Sequence, residues 1–183
     1  MKSGSGAFMK TIEEAREFAE LLVRLSKSMG IEASALITSM DEPLGIAVGI
    51  ALEVRESVRF LRDEPSAADL SEVARSVAVR LLELKGIPEP ENAVEKAISS
   101  GAAYEKFREF VMAQDEDIRA LENLPITNKV REVGAPRSWY VAQLEALGIG
   151  RVAHLLGAGR VKKRDEVDPG VGVEVLIKIG DEV

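Results

Sequence analysis

Across its 183 residues the sequence has no cysteine, a single histidine, and only five Phe, two Tyr and one Trp. Without cysteine there is no disulfide, no thiolate metal site and no cysteine nucleophile. His154 has no second histidine with which to build a metal site or proton relay, and it reads first as a structural residue on an apolar helix face. Basic charge is also short: 24 Lys and Arg stand against 31 Asp and Glu, a net charge of −7. Few aromatics and an acidic balance argue against a nucleic-acid partner. The longest uncharged apolar run, Leu44 to Leu52, falls well short of the roughly 20 residues that cross a bilayer. The N-terminus has no basic segment leading into an apolar one, so no membrane span or secretory signal is expected and a cytoplasmic location is the simplest default.

What is present is the balance of a soluble globular chain, 46% hydrophobic and 30% charged. This length suits one domain or one and a fraction, burying roughly 70% of the unfolded surface. Thr11-Ile-Glu-Glu14 is a capping box, and Ala15, Phe18, Ala19, Leu22, Val23 and Leu25 follow at helical spacing to Gly30, which predicts a helix over 12–29. Residues 31–39 read as a buried strand and 44–62 as a second helix with a small, apolar first half. Further helices are expected over 70–84, 91–99, 102–113 and 145–156. Strands are expected over 126–133 and 138–144, around a turn at 134–136, and over 172–179. The fold class is α/β in a mixed α+β sense: a helix-rich layer on a small sheet over 1–122, then a C-terminal β-rich subdomain over 123–183.

Local motifs are sparse. Gly4-Ser5-Gly6 lets backbone approach a ligand closely, but it is neither a P-loop nor a dinucleotide fingerprint, and a plain turn is the stronger reading. Lys2 is a candidate site cation weakened by its place near a chain end. Arg160 to Arg164 is a basic cluster balanced by Asp165, Glu166 and Asp168, and reads as a solvated turn. No serine lies in a nucleophile elbow.

Four separated stretches are more specific in combination: KSGSGAFMKTIEEAREFAELL, ALITSMDEPLGIAVGIALEVRE, EKFREFVMAQ and LLGAGRVKKRDEVDPGVGV, in that order. Together they resemble the thymidine and pyrimidine-nucleoside phosphorylases. The resemblance implies a pentosyltransferase that cleaves a pyrimidine nucleoside with phosphate to free base and pentose 1-phosphate. It also implies a two-domain enzyme, with a small helical domain and a large α/β domain closing over a cleft. The match starts in the middle of the family's α/β domain, so the chain is expected to be truncated relative to the family. The phosphate loop and the Arg, Ser and Lys that hold the pyrimidine are expected outside it, leaving the isolated chain inactive with no catalytic residue assigned. An open strand edge is expected after Gly180-Asp-Glu-Val183.

By the same resemblance, Phe8 packs against the base of the substrate. Leu44 and Ala47, through backbone carbonyls, and Glu56, through its carboxylate, hold a monovalent cation, potassium, or calcium; no other cofactor is required. For Glu56 alone the alternative is an exposed helix carboxylate. Ile50 and Trp139 depart from the family's Asn and Gly and favour burial, and the Gln114-Asp115-Glu116 loop looks shortened. These departures keep open a different class of function, a non-catalytic remnant or engineered scaffold that self-associates through uncovered apolar surfaces.

Overall fold

A computed structural model describes residues 1–115 and 117–183. Its elements run β1 (Lys2–Ser3), α1 (Ile12–Ser28), β2 (Thr38–Ser39), β3 (Ala47–Val48), α2 (Ile50–Leu61), α3 (Ala68–Leu84), α4 (Pro90–Ser99), α5 (Ala102–Met112), a 3-10 turn (Ile118–Leu121), α6 (Ala146–Ala153), a π-type turn (His154–Ala158) and β4 (Val173–Glu174). The architecture is mixed and helix-rich, on two small sheets: β1 beside β2 in parallel, and β3 beside β4 antiparallel.

The helices whose signals are local form where the sequence places them. Thr11 Oγ1 accepts the Glu14 N–H at 3.2 Å, and Glu14 Oε2 reaches back to the Thr11 N–H at 3.3 Å, which closes the capping box of α1. Ala15 and Ala19 form its buried stripe. Glu116, the last residue of the segment 114–116 expected to be shortened, lies outside the described residues.

Three expectations are corrected. Of residues 31–39 only Thr38 and Ser39 join a ladder, because the neighbouring strand offers only Lys2 and Ser3 as register partners. Residues 44–49 are not helical: Ala47 and Val48 form β3, Gly45 takes φ +72°, and the helix starts only after Gly49. Residues 126–133 and 138–144 form no hairpin. Val130 and Val133 are exposed, and Tyr140 instead bridges to Glu182. The Trp139 and Val183 backbones exchange bonds of 2.8 and 2.9 Å. Alternation alone does not make a hairpin: which backbone a segment pairs with depends on what lies beside it.

Glycines allow the C-terminal segment to thread tightly against the first part of the chain. A Cβ on Gly172 would lie 2.4 Å from the Val48 carbonyl oxygen, and one on Gly170 would lie 2.0 Å from that of Pro125. The Pro169 carbonyl accepts the Ala51 N–H at 3.0 Å, satisfying one of the orphan donors at the start of α2. Backbone bonds therefore join segments on either side of residue 122. The core is built mainly of small and medium side chains, including Ala15, Ala51, Leu52, Val58, Val94, Ile98 and Val175.

Candidate functional site

The loop from Gly4 to Lys10 is fastened at many points. The Gly4 N–H donates to Met9 O at 3.1 Å, Ala7 N–H to Gly4 O at 3.0 Å, and Gly6 N–H to Met40 O at 3.0 Å. Asp41 accepts the Ser5 N–H at 2.8 Å. Gly4 sits at φ +124°, and a Cβ there would lie 2.6 Å from Asp41 Oδ1, so both its conformation and its space demand glycine. The Lys10 ammonium donates to the carbonyls of Ser5 at 2.9 Å and Ala7 at 2.8 Å. At the tip of this braced loop the Phe8 ring is 99% exposed. Nothing local in the sequence tells the Lys10 ammonium to fold back as a loop brace; Lys2, the candidate site cation, lies in β1.

The second cluster lies where β3 meets α2. Glu56 is 8% exposed, so the exposed-carboxylate alternative is corrected. Its Oε1 accepts the Ile46 N–H at 2.9 Å and its Oε2 accepts the Ala47 N–H at 3.1 Å. The segment folds over itself, and this brings Glu56 back against the turn that carries Leu44, half-buried, and Ala47, buried. Among the described residues no Lys or Arg nitrogen pairs with Glu56, so its charge rests on backbone N–H dipoles. A carboxylate supplies the oxygen donors that hard cations take, and both oxygens of Glu56 here accept backbone N–H groups. No cluster of three His, Cys, Asp or Glu able to hold a metal occurs among the described residues.

Beside it stands a polar contact that sequence reading missed. Lys178 Nζ donates to Pro43 O at 2.6 Å, Gly45 O at 2.7 Å and Asp69 Oδ2 at 2.7 Å. Asp69 Oδ2 also accepts the Gly45 N–H at 3.1 Å. Burial pushes the Asp69 carboxyl upward. The hydrogen bonds from Lys178 and from the Leu70 and Gly45 N–H groups outweigh it and hold the group below its ordinary value. A cleft of about 300 Å³ opens between β3, α2 and the start of α3, lined in part by Ala47, Glu56, Arg55, Arg59 and Ser66. Phe8 does not line this cleft.

The remaining candidates fall outside both. His154 is half-buried over the backbone of Gly159, where an added Cβ would lie 2.3 Å from its Nδ1. The Arg160 to Arg164 cluster is an exposed turn in which Asp165 accepts the Val161 and Lys162 N–H groups at 3.1 and 2.7 Å. Ile50 and Trp139 remain 49% and 46% exposed, against the expectation of burial. The Trp139 ring lies under the Arg137 guanidinium, 3.7 Å from its centroid.

No helix among the described residues is long and apolar enough to cross a membrane. Residues 140–183 match the pyrimidine nucleoside phosphorylase C-terminal domain. The two ends of that segment meet at an isolated antiparallel bridge, Tyr140 to Glu182. The whole chain is similar to the pyrimidine-nucleoside phosphorylases of Staphylococcus aureus strains USA300, COL and bovine RF122. It is 37% identical to each over 190 aligned positions, covering 100% of this chain and 44% of each relative. The chain thus spans less than half the length of the relatives it matches. The chain is similar over its full length to these pyrimidine-nucleoside phosphorylases, and its last 44 residues, 140–183, carry the match to the C-terminal domain model.

Proposed function

We propose that this chain contributes to phosphate-dependent cleavage of a pyrimidine nucleoside, yielding free base and pentose 1-phosphate. Similarity along all of its residues to pyrimidine-nucleoside phosphorylases is the observation that carries this reading. In the reaction a phosphate oxygen bonds to C1′ of the pentose while the bond from C1′ to the base nitrogen breaks, and the electron pair leaves with the base. Such a step depends on oriented reactants and on charge placed in advance around the departing base. Residues 1–122 supply part of the α/β layer and 123–183 the C-terminal subdomain.

Phe8, presented by its braced loop, offers an aromatic face to the pyrimidine ring. The Leu44 and Ala47 carbonyls with the Glu56 carboxylate would hold potassium or calcium, which supplies positive charge that fixes the turn before α2. Groups that bind phosphate and discriminate the base come, in this reading, from the part of the relatives that the chain does not span, and the chain alone does not turn over. The test measures phosphate-dependent release of thymine from thymidine and uracil from uridine by the folded chain, alone and mixed with a polypeptide carrying the remaining part of a relative. Release only on mixing supports the proposal. Release by the chain alone overturns the account of an incomplete site, and no release from a folded mixture overturns the catalytic reading.

A second reading, a non-catalytic scaffold that self-associates, is favoured by one observation. An apolar groove of about 400 Å³ runs between α1 and α3, lined by Leu22, Val23, Val73, Val77 and Leu81, with Leu22, Val77 and Leu81 exposed. Light scattering after chromatography separates the cases: self-association abolished by Leu81→Glu supports the scaffold, and a monomer at all concentrations removes it.

A further inference from the structure

The Lys178 ammonium has three N–H donors, and three acceptors converge on it from segments far apart in sequence: Pro43 O at 2.6 Å, Gly45 O at 2.7 Å and Asp69 Oδ2 at 2.7 Å. Donors and acceptors match one for one. The cage carries one formal negative charge, from Asp69, against the single positive charge of the ammonium. Two of its oxygens, at 2.7 Å, stand at the distance of charge-assisted N–H···O bonds, about 2.7–2.9 Å, and Pro43 O, at 2.6 Å, is just inside it; all three stand beyond the about 2.0–2.1 Å of magnesium. The cage is fixed from several sides. Asp69 Oδ2 is held by the Gly45 N–H, Gly45 has no room for a side chain beside Glu56, and Glu42 anchors the residue after the lysine by accepting the Ile179 N–H at 2.9 Å.

We infer that Pro43, Gly45 and Asp69 form a monovalent-cation cage whose resident ion is the chain's own Lys178 ammonium, and that without this side chain the same oxygens take free ammonium or potassium, an ion of similar radius. The cage is distinct in its ligands from the Leu44, Ala47 and Glu56 set and does not depend on the phosphorylase reading. The Lys178 side chain is 25% exposed, so a space left by its truncation is reachable from solvent.

The experiment compares thermal unfolding of the unaltered chain, Lys178→Ala and the double variant Lys178→Ala/Asp69→Asn. Each is measured in ammonium, potassium, sodium and tetramethylammonium chlorides at one ionic strength. The expected result is a lowered midpoint for Lys178→Ala that rises with ammonium or potassium concentration above its value in tetramethylammonium, as for any ligand bound only by the folded state. The rise should exceed any shown by the unaltered chain, in which only the Leu44, Ala47 and Glu56 set is open to potassium, and the double variant should lack that excess. A folded Lys178→Ala whose midpoint rises no more than that of the unaltered chain overturns the proposal. Should Lys178→Ala fail to fold in every salt, nitrogen-15 spectra of the unaltered chain decide. A slowly exchanging Lys178 ammonium signal that disappears in Asp69→Asn supports the caged ion, and its absence overturns it.

Discussion

Glu56 occupies the space that a side chain on Gly45 would need: a Cβ there would lie 2.5 Å from Glu56 Oε2. Gly45 also holds φ +72°, where other residues are strained. Glycine and carboxylate are two halves of one turn. Replacing Glu56 by Ala leaves the Ile46 and Ala47 N–H groups without their acceptor, at a cost of roughly 1–3 kcal/mol for each group left unpaired. Urea unfolding of Glu56→Ala should show that loss. Glu56→Gln, which keeps one amide oxygen, should lose less, and equal losses would mean that the hydrogen bonds are not the source.

Gly172 is another position where close approach excludes a side chain, with Val48 O at 2.4 Å and Leu52 Cδ1 at 2.8 Å from an added Cβ. Gly172→Ala must push β4 away from β3 or displace Leu52. Overpacking of this kind costs typically about 1–3 kcal/mol. Hydrogen exchange should report the loss at Val175, whose N–H donates to Ile46 O at 2.7 Å, before it reports any loss in α1.

Asp69 gives the chain an acid-sensitive contact. Its carboxyl is held below 3.8, the net of burial acting upward and the Lys178, Leu70 and Gly45 hydrogen bonds acting downward. A depressed carboxyl stabilises the fold above its unfolded pKa, and that contribution disappears as pH falls through the folded value. Stability should therefore decline below about pH 4 in a step that Asp69→Asn removes. Denaturant midpoints at pH 7 and pH 3 measure it, and an unchanged pH dependence in Asp69→Asn would refute the assignment.

Phe8 has almost nothing to lose on truncation, being 99% exposed. Phe8→Ala should change folding stability by less than about 0.5 kcal/mol. In a reconstituted, active mixture it should raise KM for the nucleoside more than it lowers kcat. A variant that destabilises the chain instead would show that the loop, and not a ligand, uses the ring.

What the sequence made legible is what depends on neighbours in sequence. The capping box at Thr11 and Glu14 and the apolar stripes of α1 and α3 to α5 specify helices through contacts three or four residues apart. Residues 44–49 looked helical because Ala47, Val48 and Ile50 are apolar and closely spaced. Their conformation is set by Glu56, Val175 and Lys178, and for the last two no periodicity signals the partner. The alternation over 126–133 was real as a pattern, but an alternating segment becomes a strand only where another backbone is available to pair with it. The grouping of Leu44, Ala47 and Glu56 came from family resemblance, and the Lys178 contacts escaped it because a lysine in an alternating stretch carries no mark of what its ammonium reaches.

The reliance of the turn before α2 on residues 169–178 also sets a timetable. During synthesis Ala51 emerges long before the Pro169 carbonyl that accepts its N–H, and Pro43 and Gly45 long before the Lys178 ammonium. A nascent chain stopped short of residue 169 has α1, with its own local cap, but must leave the start of α2 and the β3 edge open to water or to a chaperone. Contacts of such long sequence separation form slowly once their partners exist. Helix α1 can thus be an early landmark, while the cage around Lys178 closes near the end of folding.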